Sequence, residues 1–198
     1  MTAQINDAFH LDSVDYSLAG ISEGDLFDPT LLGIEPVGTC TACYRGYQAV
    51  FGIADERLVL KTLHANLMRD TKSYLRIAGP PINGVTPTGE KGEHDWFNNH
   101  YENINYYLEY SGGILVADEF IRDLYVHMGF HPAWKYKRVR ELIFESGRLL
   151  SNKDRSKQMA ELRQSFLASR DMSDSSHMPS RKEIERFVEQ AFDRTYPV

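Results

Sequence analysis

Three short constellations in this chain carry residue types that could do chemistry. Cys40-Thr41-Ala42-Cys43 has the C-x-x-C spacing that serves thiol redox chemistry or supplies half of a zinc site. The redox use needs a helix N-terminus to lower one thiol, and the zinc use needs two further ligands. Neither context accompanies the pair. It abuts a segment with strand patterning, where residues three apart point to opposite faces, so two ordinary cysteines are the simpler reading. His127 and His131 bracket Met128-Gly129-Phe130, and His-x-x-x-His aligns two imidazoles only on a helix, which Gly129 and Pro132 oppose. A cleft enzyme would draw on His127, His131, Cys40, Cys43 and Arg45. A turn whose histidines hydrogen-bond or face water outweighs that reading, and His94 and His100 have no better claim.

The third constellation is Trp134-Lys135-Tyr136-Lys137-Arg138-Val139-Arg140, in which four cations interleave with two aromatics. Such a stretch could stack on bases. It could equally be an edge strand whose cations discourage aggregation, or an anchor for an acidic protein partner, since Trp, Tyr and Arg concentrate in binding hot spots. The net charge of −6 demotes nucleic acid. Residues 1–100 hold 7 basic and 13 acidic side chains against 15 of each in 101–198, so the excess lies wholly in the first half.

Positioning these groups requires a core, and 198 residues with 42% hydrophobic and 25% charged side chains can build one main domain. Aromatics at 12% tilt the composition toward strands. Tyr47, Ala49, Phe51 and Ile53 alternate at the two-residue period, Ala54–Arg57 turns the chain, and Leu58–Leu63 completes a hairpin. A second hairpin is expected from Ile104–Tyr110 through Ser111-Gly112-Gly113 to Ile114–Val116. A third runs from Val139–Glu145 through Ser146-Gly147 to Arg148–Leu150. Residues 1–38 read as a loop-like arm with a short edge strand at Leu31–Ile34. Residues 79–95, rich in Gly and Pro, read as the most flexible stretch.

After Leu150 the period becomes helical. Ser151 with Asp154 resembles a capping box ahead of Met159, Leu162 and Phe166. Ser180 with Glu183 resembles another ahead of Ile184, Phe187, Val188, Ala191 and Phe192. The expected fold is α+β: an antiparallel sheet or partly open barrel of about six or more strands built from hairpins. Two C-terminal amphipathic helices cover it, with residues 1–150 as the β-rich part and 151–198 as the helical pair. Met1–His10 has no secretory pattern, no apolar run reaches the roughly 18 residues of a membrane span, and two cysteines make no disulfide framework, so a cytoplasmic setting is expected.

P-loop, dinucleotide, zinc-protease and nucleophile-elbow signatures do not occur. The leading expectation is therefore a nonenzymatic binding protein that recognises a protein partner, as an inhibitor, immunity-type or accessory factor. Its contacts would be Trp134, Lys135, Tyr136, Lys137, Arg138 and Arg140, with no catalytic residues, metal, cofactor or membrane. The alternatives are the Cys/His cleft enzyme and RNA or single-stranded DNA binding through 134–140.

Overall fold

The computed structural model describes residues 2–69, 75–92 and 95–171. Among these residues nine strands form one mostly antiparallel sheet: β1 (Ala8–Leu11), β2 (Val14–Ile21), β3 (Tyr47–Ala54), β4 (Arg57–Ala65), β5 (Asn99–Tyr101), β6 (Tyr106–Tyr107), β7 (Gly112–Phe120), β8 (Tyr136–Glu145) and β9 (Arg148–Asp154). One helix, α1 (Ser156–Asp171), follows. The pairings run β3-β1-β2-β7-β8-β9-β4, and β4 also pairs with β3, so seven strands close on themselves. The ring is uneven. β1 and β3 pair in parallel, and β9 meets β4 only around Arg57 and Arg148. There Leu58 N donates to Gly147 O at 2.7 Å and Leu149 N to Glu56 O at 2.9 Å.

The side-chain period of two divides the apolar residues into two clusters. Along β7, Ile114 and Val116 join Phe9, Leu18, Phe51, Leu60 and Leu142 in the main core. Leu115 and Ala117 face the other way, into a cluster of Val139, Trp134 and Met159 beneath α1. Leu162 and Phe166 extend that contact at helical spacing, and this is the face α1 buries.

Two of the expected hairpins form. β3–β4 turns at Asp55-Glu56 and β8–β9 at Ser146-Gly147, with both central residues of each turn at positive φ, as tight two-residue loops require. A side chain at 147 would place its Cβ 2.1 Å from Leu108 O, so only glycine fits.

Four expectations need correction. Residues 1–38 are not a loop-like arm: β1 and β2 form a hairpin through Asp12-Ser13 and lie inside the strand order, while Pro29–Leu32 is a 3₁₀ turn ended by Gly33 rather than an edge strand. The segment 104–110 is no partner of β7. Asn103 and Asn105 adopt positive φ and break the extended run, and Ile104 N and Leu108 N bond to Lys61 O and Leu58 O of β4 instead. Ser151 and Asp154 are not a capping box, because β8 pairs with this stretch through Asp154. The helix starts at Ser156, whose N–H bonds Asp154 Oδ1 at 2.8 Å. The two-helix expectation is not borne out among the described residues, which hold one C-terminal helix; the stretch expected for the second, from Ser180, lies outside them. No described helix is long and apolar enough to cross a membrane.

Candidate functional site

The two local-spacing motifs sit in different surroundings. Cys40 is exposed and Cys43 buried, both as free thiols in one turn closed by Cys43 N to Cys40 O at 3.2 Å. Burial pushes the Cys43 thiol up, against the opposing pull of Arg45, and its Sγ donates to Tyr47 O at 3.3 Å. This is the setting of an inert thiol rather than an activated one. Arg45 is committed elsewhere: it forms two 2.8 Å bonds to the buried Asp7 carboxylate and lies over the Tyr47 and Phe130 rings. His127 is exposed and bonds Tyr125 Oη at 2.9 Å. His131 is buried against Phe120 and Tyr125, with Nδ1 3.5 Å from Lys135 Nζ. Among the described residues no group of three or more His, Cys, Asp or Glu side chains is arranged to hold a metal ion.

The basic-aromatic stretch splits by burial. Trp134, Lys135 and Tyr136 are buried, Trp134 being 9% exposed and edge-on to Phe166 of α1 at 5.3 Å. Arg163 ties the helix to the same turn through Trp134 O at 2.7 Å and Tyr136 O at 2.6 Å. Of the remainder, Arg138 is paired with Asp118 and Glu119, Arg140 bonds Asn152 Oδ1 at 2.9 Å, and Lys137 is exposed.

A different cluster occupies an open hollow of about 680 Å³, lined by His64, Lys91, Gly92, Asp95, Trp96, Phe97, His100 and Glu102. Its central pair is 36 residues apart in sequence and directly opposed in space, because β4 and β5 register His64 against His100. Three buried asparagines hold this edge. Asn66 Oδ1 accepts from Asn98 N and Asn98 Oδ1 from Leu67 N. Asn99, fully buried, bonds Gly79 N at 3.1 Å and Ile77 O at 3.0 Å. The stretch expected to be flexible is thereby tied down through its described part: Thr88 exchanges two 3.0 Å backbone bonds with His100, and Tyr101 Oη donates to Pro80 O at 3.0 Å. A Cβ at Gly79 would lie 2.0 Å from Tyr101 Oη, so any larger residue there would force the buried tyrosine to shift.

Comparison of the chain with family models, curated proteins and solved structures finds no match. The chemistry of the hollow rests on its own geometry.

Hydrogen-bond accounting assigns the protons. His100 Nε2 lies 2.7 Å from Asp95 Oδ2 and 3.0 Å from Phe97 O, both acceptors, so Nε2 carries the hydrogen. In the neutral ring His100 Nδ1 then accepts, and His64 Nδ1, 2.8 Å away, must donate. His64 Nε2 is left with its lone pair and has no hydrogen-bond partner among the described residues. Burial, with the neighbouring His100 and Lys91, pushes His64 down to about 4, so the ring is neutral near pH 7. Although burial alone would raise it, Asp95 is held below the usual carboxylate range by the Lys91 and Phe97 amides and by His100. Phe97 stacks on His64 at 5.9 Å, and the Lys91–Glu102 ion pair closes one rim. Trp96, 57% exposed, forms the other.

The sequence reading passed over His64, Asp95, Trp96 and the asparagines. The usable signal was Asp95-Trp96-Phe97-Asn98-Asn99-His100, where acid, aromatics, amides and imidazole crowd together directly after a Gly/Pro-rich loop.

Proposed function

We propose that this chain is a nonenzymatic, cytoplasmic protein-binding factor of the inhibitor, immunity or accessory type, and that its recognition surface is the β4–β5 edge. The observation that carries this reading is Trp96: a large aromatic 57% exposed on the rim of a hollow, beside an ion pair and a neutral histidine. An accessible Trp set among polar groups is the composition of an interface hot spot. Trp134, by contrast, spends its surface on α1. Free thiols three residues apart fit a reducing compartment.

The Asp95–His100–His64 chain favours a second reading, general-base catalysis with His64 taking the proton. A base near 4 is a weak one at neutral pH, and this ranks catalysis below binding. Nucleic-acid binding through 134–140 ranks lower still, as Arg138 is already neutralised by Asp118 and Glu119.

Affinity capture from the native host with wild type and Trp96→Ala tests the proposal. A protein partner should be recovered by wild type, with affinity at least about tenfold weaker for the variant, in line with hot-spot losses of roughly 2 kcal/mol. Equal recovery by both, or recovery of nucleic acid in place of protein, would reject it.

A further inference from the structure

Three features beyond the fold could recognise something: the buried His131–Lys135 pair, the charged hollow around Arg57, Glu109 and Arg148, and the His64 hollow. The first is closed off by Phe120 and Tyr125. In the second, Arg57 and Arg148 are already paired with Glu109 and Glu56. The third offers unmet acceptor capacity beside aromatic surface.

We propose that the His64 hollow receives the guanidinium group of an arginine side chain presented by the partner protein, a proposal that rests on the binding reading above and names its chemistry. The tautomer set by Asp95 and His100 makes His64 Nε2 an acceptor, so the complementary group must donate. Among the described residues of the lining, the carboxylates Asp95 and Glu102 outnumber the single ammonium of Lys91, so the donor should be cationic. The walls select among cations. Phe97 is buried and stacks on His64 from within, whereas Trp96 is open to solvent, and a planar guanidinium both stacks on such an exposed ring and forks its N–H groups toward separate acceptors. An ammonium is a compact, strongly hydrated point charge that uses flat walls less well. The two acceptors are His64 Nε2 and the Glu102 carboxylate, which is half exposed beside Lys91. The partner surface expected here is therefore basic, in contrast to the acidic one that the 134–140 stretch suggested.

The test titrates the full chain with Nα-acetyl-arginine amide, Nα-acetyl-lysine amide and the neutral Nα-acetyl-citrulline amide, following Trp96 fluorescence and the His64 imidazole signals. The arginine compound should bind saturably and about tenfold more tightly than either of the others. Glu102→Gln and His64→Phe should each weaken it severalfold, while thermal melting confirms that both variants fold. Equal binding of arginine and citrulline compounds would overturn the charge argument, and equal binding of the lysine compound would overturn the choice of guanidinium. If a protein partner is captured in a Trp96-dependent way while the arginine compound does not bind, the guanidinium assignment fails and the binding reading stands. If the arginine compound binds and no protein is captured, the binding reading fails and the assignment survives as a small-molecule site.

Discussion

His64 and His131 are both pushed down to about 4, chiefly by burial, yet they sit in opposite kinds of surroundings. His64 ends a chain that runs through His100 to the Asp95 carboxylate, and it lines a hollow open to water. His131 is packed between Phe120 and Tyr125, its Nδ1 facing the Lys135 ammonium, and its Nε2 is buried without a hydrogen-bond partner among the described residues. A depressed pKa is thus common to a histidine fixed for recognition and to one enclosed in packing. What separates them is where the second nitrogen points its capacity. At His64 the lone pair is on offer; at His131 a polar atom is stranded, which costs roughly 1–3 kcal/mol.

The largest expected effect lies on the His131 side of this comparison. Trp134→Ala should destabilise the protein by about 3 kcal/mol, read from urea unfolding, because a buried indole between α1 and the sheet is replaced by a cavity. A loss under about 1 kcal/mol would mean that Trp134 is not packed there and is free to act as an interface anchor.

Acid comes next. Both histidines have folded values below the ordinary 6.5, so the unfolded chain takes up their protons first. The stability they contribute is complete above about pH 6.5 and is lost as pH falls from 6.5 toward 4. The urea midpoint should drop across that window. His131→Phe should flatten the drop and leave neutral-pH stability unchanged or higher by about 1 kcal/mol, since it removes a stranded polar atom at similar ring size. An unaltered slope in that variant would show that His131 is not a buried neutral ring.

How much of this was legible follows from range. β3–β4 and β8–β9 could be read because alternation and turn lie within one window: Tyr47 to Leu63 about Asp55-Glu56, and Val139 to Leu150 about Ser146-Gly147. β1–β2 was missed because four residues of alternation are too few to stand out, and Asp12-Ser13 lacks the glycine or asparagine that usually marks a two-residue turn. Residues 104–110 alternate well and still misled, since Asn103 and Asn105 turn the backbone at a cost that β4 repays with its Lys61 and Leu58 carbonyls. The candidate site failed for a related reason. C-x-x-C and H-x-x-x-H attract notice as local spacings, whereas His64 and His100 meet through strand register and are fixed by Asn66, Asn98 and Asn99. Local patterns carry hairpins; a cluster assembled across 36 residues leaves no spacing to read.

Nitrogen-15 NMR of the histidine rings across pH 3.5–8 tests the central claim most directly. The account predicts His64 as the Nδ1–H tautomer near pH 7, its Nε2 unprotonated until about pH 4, and His100 carrying its hydrogen on Nε2. A His64 ring that carries its hydrogen on Nε2, or that becomes charged near the ordinary value of 6.5, would contradict it.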